Sequence, residues 1–220
     1  MRVENWGLIS YAEASARQLE LVEAVATSRV EDTLVMCSHP PVVTLGRGTL
    51  PGDLFGWAGE TLETSRGGRA TYHGPSQIVA YPILNLDRDR PAHAQIQKRD
   101  LHSYLRVLEG AIVRTLGEFG VASEARAIKL GPDQPSLTGV WVGERKIASI
   151  GIAVKKWVTY HGLALNVMAD PLAFSGIHPC GFRSEIMTSL EECLPPTAQK
   201  FDRARVETAL QSILIHSLGV

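Results

Sequence analysis

The chain has 220 residues, 22 Lys and Arg against 23 Asp and Glu, a formal net charge of −1 and 45% hydrophobic residues. This globular composition has room for a real core, and it excludes wholesale disorder and any global attraction to nucleic acid or an anionic membrane. Three cysteines make no disulfide framework and no apolar run suits a signal peptide or a membrane span, so the expectation is one soluble, cytoplasmic domain over residues 1–220.

In chain order, residues 11–30 pattern as an amphipathic helix. Leu19, Val22 and Val25 fall three apart with Ala12 and Ala16 on roughly the same face, and Glu13, Arg17, Glu20 and Glu23 are polar. Residues 33–37 are short and apolar, which predicts a buried strand ended by His39-Pro40-Pro41. Residues 42–45 predict a second strand, and Gly46-Arg47-Gly48 opens a loop that runs to residue 65. Residues 78–86 predict a strand whose Pro82 marks an edge or a bulge. The longest helical pattern covers residues 94–119. There Leu101, Tyr104, Leu105, Leu108, Ile112, Leu116 and Phe119 keep three-and-four spacing, and Gly117 and Gly120 are stop signals. Residues 121–136 read as a short strand or turn and then a Gly/Pro-rich loop.

Val140-Trp141-Val142, a turn at 143–145 and residues 146–154 predict a hairpin that residues 159–167 continue. Residues 174–181 form a loop. A last helix starts at about Asp202, its N-cap, with Val206, Leu210, Ile213 and Leu214 on one face. Helices and strands alternate without βαβ regularity, which predicts an α+β (mixed α/β) fold, a sheet with helices packed on it.

Four stretches carry possible chemistry. Arg66-Gly67-Gly68-Arg69-Ala70-Thr71-Tyr72-His73-Gly74-Pro75-Ser76-Gln77 packs three glycines, two arginines, a Tyr and a His into twelve residues. Glycines let backbone approach a ligand and arginines suit an anionic or carbonyl-bearing one, although a plain Gly-rich turn has the same look. Cys180, in Pro179-Cys180-Gly181, is not placed like a core hydrophobe, whereas Cys37 is, and Cys193 sits beside Glu191 and Glu192. Cys180 is therefore the candidate nucleophile, with a structural cysteine as the alternative. Lys146 enters the small, apolar strand Ile147-Ala148-Ser149-Ile150-Gly151, so it either faces water or turns into a pocket as a base. His161-Gly162-Leu163-Ala164 begins a strand that lines an apolar slot or simply carries a satisfied histidine. His39, His73, His161 and His178 lie too far apart in sequence to predict a metal site, and no nucleotide-loop motif or GxSxG elbow is present.

Taken together these stretches resemble the lipoyl(octanoyl) transferase family. The run Arg66–Gln77 resembles its RGGxxTYHGPxQ signature, and His39-Pro40-Pro41-Val42-Val43-Thr44-Leu45-Gly46-Arg47 its upstream HPPVYTLGR element. Lys146–Gly151, His161–Val167 and Pro179-Cys180-Gly181 follow in family order. One departure is Ser76, where the family signature has Gly; a positive φ there would strain the serine and reshape the acyl-site wall.

The resemblance implies a biotin/lipoate protein ligase-like catalytic domain, a mixed sheet flanked by helices with an acyl pocket over the sheet. It implies transfer of octanoyl from octanoyl-acyl carrier protein to a lysine of lipoyl domains, those of 2-oxoacid dehydrogenases and the glycine-cleavage H protein. No cofactor, nucleic acid or membrane is implied, and a monomer suffices. The family's catalytic pair carries over to Cys180 and Lys146. Its acyl-site residues carry over to Arg66, Gly67, Gly68, Arg69, Ala70, Thr71, Tyr72 and His73, to Ser149, Ile150 and Gly151, and to Gly162, Leu163 and Ala164, with His161 in support. An ordinary thiol is only about 3% thiolate at pH 7, so an amine within hydrogen-bond reach is expected beside Cys180. Backbone N–H groups near residues 149–151 or Cys180 would hold the oxyanion. An acidic carrier protein suits a docking face with Arg47, Arg66, Arg69 or Arg88. Three other readings use the same residues: an ATP-dependent lipoate–protein ligase, a Cys–His thiol hydrolase using His73 or His161, and a non-catalytic acyl- or lipoyl-domain-binding relative.

Overall fold

A computed structural model describes residues 1–90, 95–126, 138–195 and 202–219. Seven strands form the main sheet in the order β1-β2-β6-β10-β9-β8-β7. These are β1 (Arg2–Leu8), β2 (Thr33–Ser38), β6 (Gln77–Ile83), β7 (Glu124–Arg126), β8 (Gly139–Val142), β9 (Arg145–Lys155) and β10 (Val158–Asn166). A second sheet of three short strands, ordered β4-β3-β5, combines β3 (Val42–Leu45), β4 (Glu60–Glu63) and β5 (Thr71–His73). The mixed sheet with flanking helices is the fold class expected.

Helix α1 (Tyr11–Ala26) covers one face of the main sheet. Helices α2 (Leu101–Glu118) and α4 (Arg203–Leu218) cover the other, over a core that includes Leu34, Ile78, Leu108, Ile112, Ile147 and Leu210. A short α3 (Leu190–Cys193) carries a capping box between Ser189 and Glu192. Each helix start follows from a side-chain cap. Ser10 accepts from the Glu13 N–H, Asp100 from His102 and Ser103, and Asp202 from Ala204. Asp100 therefore starts the long helix at Leu101 rather than at residue 94, which lies outside the described residues. Likewise α1 stops at Ala26, where the Thr27 hydroxyl donates to the Glu23 carbonyl and Ser28 turns to φ 55°. The reading of residues 121–136 covers β7 and otherwise falls largely outside the described residues.

Three expectations are corrected. The buried stripe of α1 is Tyr11, Ala14, Gln18, Val22 and Val25, while Ala12, Ala16 and Leu19 are exposed. The polar Gln18 disguises the true face, because its carboxamide accepts the His161 N–H at 2.7 Å. Second, β6 is no edge strand, since it lies between β2 and β10 with every residue buried. Its ladder to β10 opens opposite Pro82: Gln18 takes the His161 N–H, and the Thr159 and Tyr104 hydroxyls donate to the Pro82 carbonyl. Third, residues 48–65 are not all loop, because charged, exposed β4 pairs parallel with β3. Among the described residues no helix is long and apolar enough to cross a membrane.

Candidate active site

The hairpin β8–β9 positions the lysine. Trp141 pairs with Lys146, Val140 with Ala148 and Gly139 with Ser149, so Ile147 is the extra residue of a β-bulge. The bulge lets Ile147 and Ala148 both face the α2 core. Lys146 is thereby turned to the opposite face and is fully buried, not solvent-facing. Its Nζ lies 5.7 Å from the Trp141 ring centroid, and Trp141 meets the Phe182 ring edge-on at 5.6 Å. A Cβ on Gly139, at φ 139°, would stand 2.8 Å from the Lys146 Cε and 2.3 Å from the Ala148 carbonyl oxygen, so glycine is required beside the amine.

Cys180 sits in a single 3₁₀ turn, Pro179–Gly181, at φ 55°, a left-handed conformation that non-glycine residues rarely adopt. The conformation is held from several sides. The Cys180 N–H donates to the Ala70 carbonyl at 2.8 Å and the His178 N–H to the Asp53 carbonyl at 2.8 Å. The buried Asp53 carboxylate pairs with Arg69, whose guanidinium lies against Gly181. The Cys180 sulfur is 4.0 Å from the Ser149 hydroxyl, and Ser149 pairs across the sheet with Gly139. Lys146 and Cys180 thus border the same Gly139–Ser149 pair. Because the Cys180 N–H is taken by Ala70, it is not a free oxyanion donor in this state.

From Cys180 a partly open cleft of about 40 Å³ runs between β5, β9 and β10. Of the expected acyl-site residues, Arg66, Gly67, Gly68, Thr71, His73, Ser149, Ile150, Gly151, Gly162, Leu163 and Ala164 line it, with His161. Arg69, Ala70 and Tyr72 do not. Strand alternation turns Tyr72 away from Thr71 and His73, into a separate small core with Phe174 and Ile177. Arg69 is committed to Asp53, and Ala70 holds the cysteine turn through its backbone. The sequence reading missed Tyr11, Tyr81 and Thr138, which also line the cleft. Tyr11 on α1 and Tyr81 on β6 lie outside the motif residues, and only the fold brings them in.

Arg66 is buried and donates to the Thr44 hydroxyl and carbonyl, the latter at 2.7 Å, so it is no part of a docking face. Burial pulls its pKa down, and the nearby Tyr11, Cys180 and Tyr81 groups oppose that pull. Arg88 is tied to Asp32, whereas Arg47 is exposed. Beyond Arg66 lies an aromatic floor. The Tyr11 hydroxyl meets His161 Nδ1 at 3.2 Å, and the His39 Nε2 accepts from Tyr81 at 2.7 Å while its Nδ1–H donates to the Ile9 carbonyl. Burial lowers the His161 pKa to about 4, with Arg66 adding to the effect, and pulls His73 well below the ordinary range. Burial also pushes Tyr11 up to about 12. Burial thus favours the neutral forms of these rings beside the Arg66 guanidinium.

Ser76 has no positive φ and carries none of the feared strain. Its hydroxyl donates to Asp170 at 3.1 Å in the wall of a second cavity of about 320 Å³, away from the cleft at Cys180. Among the described residues no cluster of three His, Cys, Asp or Glu side chains is placed to hold a metal ion.

A family model described as the lipoyl protein ligase A/B catalytic domain matches residues 10–213. An octanoyltransferase of Bdellovibrio bacteriovorus is 46% identical over 220 residues, covering 98% of this chain and 97% of that one. The chain belongs to the octanoyltransferase family. Solved structures place this octanoyltransferase in the biotin/lipoate protein ligase-like fold. A lipoate-protein ligase A bound with ATP aligns at a TM-score of 0.72 with 17% identity, covering 99% of this chain and 85% of that one. The biotin protein ligase of Aquifex aeolicus, in complex with biotin and ATP, aligns at 0.54 with 15% identity, covering 99% and 70%.

Proposed function

We infer that this octanoyltransferase takes octanoyl from octanoyl-acyl carrier protein, holds it as a thioester on Cys180 and passes it to a lysine of a lipoyl domain, with Lys146 moving the protons. The observation that carries the reading is the convergence on the Gly139–Ser149 pair of a fully buried lysine and a thiol held in a left-handed turn. Both features cost stability, the buried amine by desolvation and the turn by backbone strain. Such costs concentrate where chemistry needs them.

In the first half, Cys180 gives its proton to Lys146 and its sulfur attacks the thioester carbonyl. The carrier's thiol leaves with a proton returned from Lys146. In the second half, the acceptor amine attacks the Cys180 thioester, Lys146 takes the proton from nitrogen, and Cys180 departs and is reprotonated. Thioester exchange is nearly balanced and amide formation from a thioester is downhill, so no ATP is consumed. His73 and His161 lie on the far floor of the cleft, which favours Lys146 over either histidine as the base.

The resting cleft has room for about three water-sized groups. An octanoyl chain brings seven methylene or methyl groups beyond its carbonyl, so loading moves wall side chains. Residues 149–152 of β9 are half-buried while Gly162–Ala164 of β10 are buried, which makes β9 the side that yields. Burying the chain contributes up to about 5–6 kcal/mol. The test is intact-mass analysis of the protein with octanoyl-acyl carrier protein in the absence of ATP, followed by addition of an unmodified lipoyl domain. An octanoyl adduct on Cys180 that moves to the acceptor lysine is expected; transfer without any Cys180 adduct would sink the thioester.

A further inference from the structure

The cleft has two marked ends. At one end Cys180 hydrogen-bonds Ala70 and its sulfur neighbours Ser149, which pairs with Ala164. At the other end stand His73 on β5 and His161 on β10, with Ile152 paired to His161. On β9, three residues of extended strand separate Ser149 from Ile152. Three residues of extended chain span about 10 Å. A fully extended octanoyl group spans about 9 Å from carbonyl carbon to terminal methyl.

Tyr11 closes the far end. Its ring stacks on His73 at 5.3 Å and on His161 at 6.3 Å, with interplanar angles of 25° and 14°, and its hydroxyl meets His161 Nδ1 at 3.2 Å. The ring is buried and fixed at the first residue of α1, directly after the Ser10 cap. It therefore joins the two strand walls across the bottom of the cleft.

We propose that Tyr11, braced by His73 and His161, is the end stop that sets the acyl-chain length, so that the terminal methyl of an eight-carbon chain abuts the Tyr11 ring when the carbonyl is at Cys180. This rests on the thioester reading above. The end wall offers a methyl group the ring surfaces of Tyr11, His73 and His161, while the neighbouring Arg66 guanidinium is held by Thr44.

The experiment compares initial rates of Cys180 adduct formation from six-, eight-, ten- and twelve-carbon acyl-carrier proteins. The wild-type chain is expected to favour eight carbons. Tyr11→Ala is expected to raise the ten-to-eight-carbon rate ratio about tenfold. Tyr11→Phe keeps the ring and is expected to keep the eight-carbon optimum, whatever its overall rate. An unchanged ratio in a folded Tyr11→Ala chain overturns the proposal. If Tyr11→Ala fails to fold, His73→Ala carries the same test with the same expected direction. Thermal-shift titrations with free octanoate and decanoate give a readout independent of catalysis. If the wild-type chain forms no adduct, the thioester reading has failed. The end stop is then judged by whether Tyr11→Ala reverses the octanoate-over-decanoate preference, and no reversal refutes it.

Discussion

Lys146 and Ser149 stand three residues apart on one strand and face the same side of the sheet. Simple alternation would put them on opposite sides. Their partners Trp141 and Gly139 are two apart on β8, and the extra residue Ile147 absorbs the difference. The bulge is what turns a lysine in an apolar strand toward the cysteine rather than into the α2 core. Lys146→Met fills similar space without the amine, so the fold should survive. Acyl transfer is expected to fall about 10²–10⁴-fold. Single-turnover transfer to a lipoyl domain measures this, and a loss below tenfold in a folded variant argues against Lys146 as the base.

Ser76 is a surface-cavity residue with an ordinary backbone, not a lesion. Ser76→Gly should leave the transfer rate within about threefold. It should lower stability by about 0.5–1.5 kcal/mol, through the lost hydrogen bond to Asp170 and a looser unfolded chain. Urea denaturation and transfer assays read both, and a large gain in rate would return suspicion to position 76.

The Arg69–Asp53 pair clamps the cysteine turn from beneath. Asp53 is 1% exposed and Arg69 14%, so removing one partner leaves a poorly solvated charge. Asp53→Ala is expected to cost about 3–5 kcal/mol. It should also slow Cys180 acylation by releasing the His178 side of the turn. Asp53→Ala with Arg69→Met should recover part of the stability, because the orphan charge is gone. Equal stability of the single and double variants would show that the pair is not coupled.

Three buried histidines make stability fall in mild acid. Burial lowers the pKa of His39, His73 and His161, the last to about 4. The unfolded chain, with histidines near 6.5, then binds more protons than the native one below that pH. Stability is fully present above about pH 6.5 and is lost as pH falls toward each native pKa. His161 alone accounts for about 3 kcal/mol between pH 6.5 and 4. Urea midpoints at pH 7.5, 6 and 5 should fall in order, and His161→Gln should fall less steeply than the parent. A parallel decline would place the acid sensitivity elsewhere.

Much of this protein is legible in its sequence. The long helices, the β8–β9–β10 meander and the Asp202 cap follow from spacing and capping, which are local. Most of the residues that line the cleft at Cys180 were legible from motifs in order. The α1 face was misread because Gln18 spends a buried position on a backbone hydrogen bond. Strand β1 was missed because most of its residues are exposed and lack clear alternation.

The sequence by itself determined the fold class and singled out Cys180 and Lys146 as the candidate pair, because helix periodicity, caps and consecutive motif residues are short-range properties of the chain. Only the tertiary structure decided which of them share a wall. The Ile147 bulge turns Lys146, strand alternation sends Tyr72 away from the cleft, Asp53 claims Arg69, and α1 delivers Tyr11 to its floor. These depend on register and on contacts between residues more than a hundred positions apart, such as Tyr11 and His161. No local pattern records such contacts.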